Sequence, residues 1–87
     1  MKSPANLKLC RMHKCIICTE LGRNQIYPTE ADHITTKGAG GGDEQSNIWP
    51  LCVLHHRERH QIGIRTFVKK YKAARMYLEV VGRTEYL

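Results

Sequence analysis

The sequence predicts a small α+β domain stapled by metal, and three observations predict it. With 87 residues the chain is one domain, and a chain of that size buries a smaller share of its surface than a large one, so a staple is expected. The middle of the chain passes from strand-like to helical patterning across a glycine loop, which gives the order strand, loop, strand, helix. Cysteines and histidines fall in close pairs at metal-ligand spacing.

Taken in order, residues 1–28 form an N-terminal knuckle segment: periodicity is weak, "HKCIICTE" holds a close pair of cysteines, and Pro28 ends the segment. Residues 29–61 hold the core of the domain. The strand-like "TEADHITT" runs into the loop "KGAGGGDEQSN", returns as the strand-like "IWPLCV" and turns helical at "LHHRERHQ". Residues 62–87 carry a C-terminal helix, because Ile64, Phe67, Val68, Tyr71, Ala74, Leu78 and Val81 recur at the 3 and 4 spacing of one helix face. Gly82 fits the stop of that helix, and Trp49 is expected in the core.

Fourteen Lys and Arg against eight Asp and Glu give a net charge of +6 and a pI near 9.4. A basic balance in so small a domain points to an anionic partner, of which nucleic acid is the usual one. No apolar run approaches the roughly 20 residues of a membrane span. The opening Met1-Lys2-Ser3-Pro4-Ala5-Asn6 has charge but no apolar stretch behind it, so no secretory signal is expected. The cytoplasm is the expected compartment, and disulfides are rare there, which turns the four cysteines toward metal.

Two constellations carry chemistry. Cys15-x-x-Cys18 is followed after 33 residues by Cys52-x-x-His55. Two close pairs of thiolate or imidazole ligands suit tetrahedral Zn²⁺ in a closed, structural site. Cys10 and His13 lie just upstream and are read as a partly buried thiol and a surface imidazole. What remains is Asp32, His33, Asn47, His56 and His60. On a helix His56 and His60 share a face and can grip one ion, whereas His55 shares its face with Arg59 and is left for the zinc. Asp32 and His33 are neighbours on an extended segment, so one can hold metal while the other faces substrate.

Together, Cys15-x-x-Cys18, Asp32-His33-Ile34, the glycine loop, Asn47, Pro50-Leu51-Cys52 and His55-His56 with His60 resemble the HNH endonucleases, in particular compact, often phage-borne members with a zinc knuckle. The resemblance covers Cys15 to Phe67. It implies a ββα-metal finger, two strands and a helix, that hydrolyses phosphodiester bonds of DNA. It implies His33 as general base, Asn47 as the residue that braces the loop and so orients His33, and Asp32, His56 and His60 as ligands of one catalytic divalent ion. An imidazole that titrates near working pH can accept a proton from water. A cation with open positions stabilises charge on the phosphoryl and leaving oxygens. One carboxylate and two imidazoles accept Mn²⁺, Ni²⁺, Co²⁺ or Zn²⁺ more readily than Mg²⁺, and the metal promiscuity of the family leaves the choice open. The implied setting is a bacterial host cell, with nicking or double-strand cleavage decided by homodimer formation or by larger phage or recombination machinery.

Two features depart from common members. Many relatives carry cysteine where His55 stands, and "KGAGGG" is unusually rich in glycine while lacking the Gly-Lys-Ser/Thr ending of a nucleotide loop. The loop is read as a flexible span. DNA would be held by Arg57 and Arg59, which flank the metal histidines, and by a stripe of Arg65, Lys69 and Lys72 beside the apolar helix face. The alternative is a non-catalytic zinc-stabilised DNA-binding module. Such a module needs the Cys/His quartet and the charge, but neither Asp32-His33 nor His56 with His60.

Overall fold

A computed structural model describes the whole chain, Met1–Leu87. The first helix, α1 (Pro4–Arg11), is capped by Ser3, whose hydroxyl accepts the Asn6 N–H at 3.2 Å, and begins with Pro4 where a missing N–H does no harm. Weak apolar periodicity hides this helix in the sequence, although Ser-Pro is a legible start signal. The short α2 (Ile16–Glu20) follows, with Cys15 at its N-cap and Cys18 inside it.

Strands β1 (Thr29–His33) and β2 (Ile48–Cys52) pair antiparallel, in a register that sets Asp32 opposite Trp49 and Thr29 opposite Cys52. All five residues of β2 are buried, which is why its sequence runs apolar without alternating. Pro50 is tolerated because β2 has a hydrogen-bonded neighbour on one side only. Helix α3 (Val53–Ile62) leaves β2 directly, and Gly63 ends it at a φ of +84°, a conformation that favours glycine.

The expected single C-terminal helix is two: α4 (Ile64–Lys70) and α5 (Lys72–Val80), separated by an extended Tyr71 at φ −121° and ψ 119°. An unbroken helix from Ile64 to Val81 would be about 27 Å long. That exceeds two of the three dimensions of the molecule, 33 × 26 × 23 Å. The break folds α5 back, yet Ile64, Phe67, Val68, Tyr71, Ala74, Leu78 and Val81 all still belong to the core or pack against it. Gly82 follows α5 at φ +76°.

One core results. Trp49 is fully buried, as expected, and meets the Phe67 ring edge-on at 5.9 Å and the Tyr77 ring at 6.0 Å. Cys15, Cys18 and Cys52 are members of the same cluster, so their sulfurs sit inside the hydrophobic packing. No helix is long and apolar enough to cross a membrane.

Candidate metal centres

Two donor sets form, Cys15, Cys18, Cys52 and His55 in one, Asp32, His56 and His60 in the other, each with its ligand atoms within 4.8 Å of one another. In the first, His55 Nδ1 lies 3.3 Å from Cys52 Sγ, 3.5 Å from Cys15 Sγ and 3.6 Å from Cys18 Sγ, and Cys18 and Cys52 sulfurs are 3.8 Å apart. A tetrahedron with Zn–S near 2.3 Å and Zn–N near 2.05 Å has sulfur–sulfur edges of about 3.8 Å and sulfur–nitrogen edges of about 3.5 Å. Hydrogen bonding does not account for the cluster, because one ring nitrogen cannot serve three thiols. All four residues are buried and none of the cysteines is in a disulfide. Burial, with the Cys15 and Cys52 sulfurs beside it, pushes the Cys18 thiol up to about 12. A dication is what would offset that penalty. Burial also lowers the His55 imidazole, against the opposing Glu58 charge, which keeps it in the neutral form a ligand needs. The set is closed and could hold an ion such as zinc. Cys10, buried and raised to about 11 by that burial, and His13, exposed, stand outside it.

The second set has the opposite character. Asp32 is 2% exposed, but His56 and His60 side chains are 26% and 45% exposed, so the set opens to solvent along α3. The two oxygens of Asp32 do different work. Oδ2 accepts from Trp49 Nε1 at 2.7 Å and faces Arg59 Nε at 2.9 Å, the latter too far off line for a hydrogen bond and therefore an ion pair. Oδ1 lies 3.0 Å from His56 Nε2 and 2.9 Å from His60 Nε2. Those separations equal the cis edges, about 3.0 Å, of an octahedron with bonds near 2.1 Å. Glu30 Oε1 is 2.8 Å from His56 Nδ1, the kind of outer partner that orients a metal-binding imidazole. Burial alone would raise the Asp32 carboxyl, but hydrogen bonds from His56 and Trp49 and the Arg59 charge outweigh it and hold it low. The hydrogen bond to Asp32 raises His56, against burial, with help from Glu30.

The loop between the strands is pinned, not the flexible span its composition suggests. Buried Asn47 accepts the Thr35 N–H at 2.8 Å and donates to Thr35 O at 3.0 Å and Gly42 O at 2.8 Å, which ties both ends of the loop together. A Cβ on Gly41 would stand 1.7 Å from Thr35 O and 2.8 Å from Asn47 Nδ2, so only glycine fits there. From the C-terminal segment, Arg83 Nη1 donates to Asn47 Oδ1 at 2.7 Å and the Tyr86 and Thr35 hydroxyls meet at 2.7 Å. His33, at the end of β1, places Nε2 2.7 Å from Oδ1 of buried Asp43.

The basic residues divide differently from the sequence pattern. Arg59 is 6% exposed, and its Nη2 donates to His33 O at 3.1 Å and Ile34 O at 2.7 Å. Committed to Asp32 and β1, it is not a surface contact for DNA. Arg57 is exposed on α3. Arg65 and Lys69 line a cleft of about 440 Å³ together with Arg75 and Tyr86, whereas Lys72, beyond the Tyr71 break, lines a separate groove with Lys14 and Met76. Arg75 thus joins Arg65 and Lys69 at the cleft, a neighbour the sequence pattern does not show. The cations with an acidic side chain in reach are Lys37, Arg59, Lys70 and Arg83, and Arg57, Arg65, Lys69, Lys72 and Arg75 are among the ten without one. Sequence reasoning missed Trp49, Arg59 and Glu30 as partners of the second set; only Arg59, on the helix turn after His55 and His56, carried any local signal. No protein-family model, curated protein or solved structure matches the chain, so its function is to be read from these two donor sets and the loop between the strands.

Proposed function

We propose that the chain is a metal-dependent DNA endonuclease of the HNH type, a ββα-metal finger of β1, β2 and α3, with catalytic metal on Asp32, His56 and His60 and structural zinc on Cys15, Cys18, Cys52 and His55. One observation carries this reading: Asp32 has one oxygen occupied by Trp49 and Arg59 and the other turned toward two imidazoles in a set open to solvent. An ionised carboxylate kept 2% exposed is a standing cost to stability that a zinc-stapled binding module could avoid with an apolar pair.

A divalent ion on three protein ligands would keep open positions and stabilise charge on a phosphoryl oxygen and the leaving 3′ oxygen. His33, next to Asp32, takes the proton of the attacking water as the water oxygen bonds to phosphorus and the bond to the 3′ oxygen breaks. The 3′ oxygen leaves as an alkoxide and takes a proton from solvent, so the products carry 5′-phosphate and 3′-hydroxyl ends. Asn47 and Arg83 hold Thr35, and through it the end of β1 from which His33 projects. Arg57 and the cleft of Arg65, Lys69 and Arg75 offer unpaired charge to backbone phosphates.

Plasmid cleavage tests the reading. With Mn²⁺, Mg²⁺, Ni²⁺ or Co²⁺ supercoiled DNA should become nicked or linear, and EDTA should stop it. His33→Ala should slow cleavage by at least about 10²-fold while the fold and zinc content persist. Absence of cleavage with all four ions leaves the DNA-binding zinc module as the function.

A further inference from the structure

The Asp43 carboxylate belongs to a loop that composition marks as mere glycine-rich span, yet its side chain is only 3% exposed and both oxygens are engaged. Oδ1 is 2.7 Å from His33 Nε2, with Lys37 Nζ 3.9 Å away, and Oδ2 accepts the Ser3 N–H at 2.9 Å. The backbone around it is fixed as well. Asn6 Nδ2 donates to Asp43 O at 3.0 Å, Asp43 N–H donates to Met1 O at 2.9 Å, and Asn47 holds Gly42 O at 2.8 Å. So the segment before α1 clamps the loop from one side and Asn47 from the other, which is more restraint than a spacer needs.

We infer that Asp43 is a positioning residue that fixes the tautomer and ring orientation of His33, keeping the proton on Nε2 and the lone pair on Nδ1. An ionised carboxylate only accepts, so an imidazole bonded to it through Nε2 must carry the hydrogen there, and Nδ1 is left as the sole acceptor. Hydrogen bonds from His33 and the Ser3 N–H, with the Lys37 charge, hold the Asp43 carboxyl below its ordinary range, so it stays ionised. Nδ1 is then the atom that takes a proton from water. This step rests on the reading of His33 as general base; the tautomer does not.

Asp43→Asn keeps size and shape but can accept through one oxygen only. The Ser3 N–H and His33 Nε2–H both need an acceptor, so the amide oxygen goes to Ser3 and the amide NH₂ faces His33. The neutral imidazole is then driven to the Nδ1–H form. The experiment is ¹⁵N NMR of the histidine rings, at a pH above the imidazole range, in wild type and Asp43→Asn, paired with cleavage kinetics. The expected result is an Nε2–H tautomer in wild type, a shift toward Nδ1–H in the variant, and a fall in kcat of about 10²- to 10⁴-fold. KM, zinc content and divalent-ion affinity should be unchanged. An Nδ1–H tautomer in wild type overturns the inference, even if the variant does not fold, and so does full kcat in Asp43→Asn. A wild type that never cleaves DNA but whose His33 switches tautomer with Asp43 refutes the nuclease reading alone and supports the Asp43 assignment.

Discussion

Trp49→Phe separates a core residue from one that also holds a metal ligand. The indole contributes apolar volume against Phe67 and Tyr77, and it donates Nε1–H to Asp32 Oδ2 at 2.7 Å inside the fold. A hydrogen bond to a charged group is worth about 1.5–3 kcal/mol, and the smaller ring leaves a gap worth about 1 kcal/mol more. A destabilisation of about 2.5–4 kcal/mol lowers the melting temperature of a domain this size by about 10–30 °C, measured at saturating zinc. Asp32 would retain the Arg59 ion pair but lose the bond that aims its second oxygen, so divalent-ion affinity by calorimetry should weaken about 10- to 100-fold. Tyr77→Phe is the control. It removes a neutral bond to Ile48 O, at 2.8 Å, should cost about 0.5–1.5 kcal/mol, and should leave divalent binding alone. If Trp49→Phe melts like Tyr77→Phe and binds Mn²⁺ as wild type does, Trp49 is filler and the division of labour within Asp32 is wrong.

The adjacent histidines should fail differently. His55→Ala should lose tightly held zinc and most of its cooperative melt, since structural zinc contributes about 10–16 kcal/mol against a typical total stability of about 5–15, whereas His56→Ala should keep one zinc per chain yet be nearly inactive; the reverse pattern in metal analysis and melting would swap the two sets. Divalent affinity should depend on pH with a definite sign. His56 is raised above its ordinary 6.5 by Asp32, so its protonation stabilises the metal-free fold below 6.5, and that stabilisation is lost as pH rises through the raised value. A metal ligand must be neutral, so Mn²⁺ affinity should drop by about tenfold per pH unit below the raised value, and a flat calorimetric profile between pH 8 and about 5 would exclude His56 as ligand. For DNA binding, Lys69→Ala and Arg75→Ala should each flatten the salt dependence by about one unit, while Lys72→Ala leaves it unchanged; equal effects from all three would restore the continuous stripe.

Much of this was legible in the sequence because it depends on short-range spacing. Both strands, α3 and the Cys/His quartet follow from short strand-like runs either side of the glycine loop, the change to helical patterning after Val53 and paired ligands, each readable within a few residues. What stayed hidden depends on register. Trp49 reads as core from its type alone, and only the pairing of β1 with β2 sets it opposite Asp32. Arg59 reads as a surface cation because arginine usually is one. It is drawn inward by a buried carboxylate and two strand-end carbonyls that no local pattern reveals. The Tyr71 break is silent for a related reason: no glycine or proline marks it, and the apolar face stays in phase through it, so periodicity reports burial correctly and straightness wrongly. Asp43 carries no local signal of its own, because its partners come from the segment before α1, which closes over it.

The two donor sets are mechanically one device. Strand β2 delivers Cys52 to the first and Trp49 to the second, three positions apart and hence on opposite faces. Helix α3 then continues the division, with His55 turned about 100° from His56 around its axis. Rotating α3 by one residue would carry His56 toward the sulfurs and His55 past them, away from both sets, so the helix has to be held in one rotational setting for either set to form. Zinc on Cys15, Cys18, Cys52 and His55 would supply that setting from the buried side, since Cys52 is fixed by the sheet and Cys15 and Cys18 by α2. Arg59 supplies it from the other side, bridging Asp32 to the carbonyls at the end of β1. A structural ion and a buried arginine therefore do for this small domain what a larger core does elsewhere: they fix the angle at which two exposed-side imidazoles meet one carboxylate oxygen.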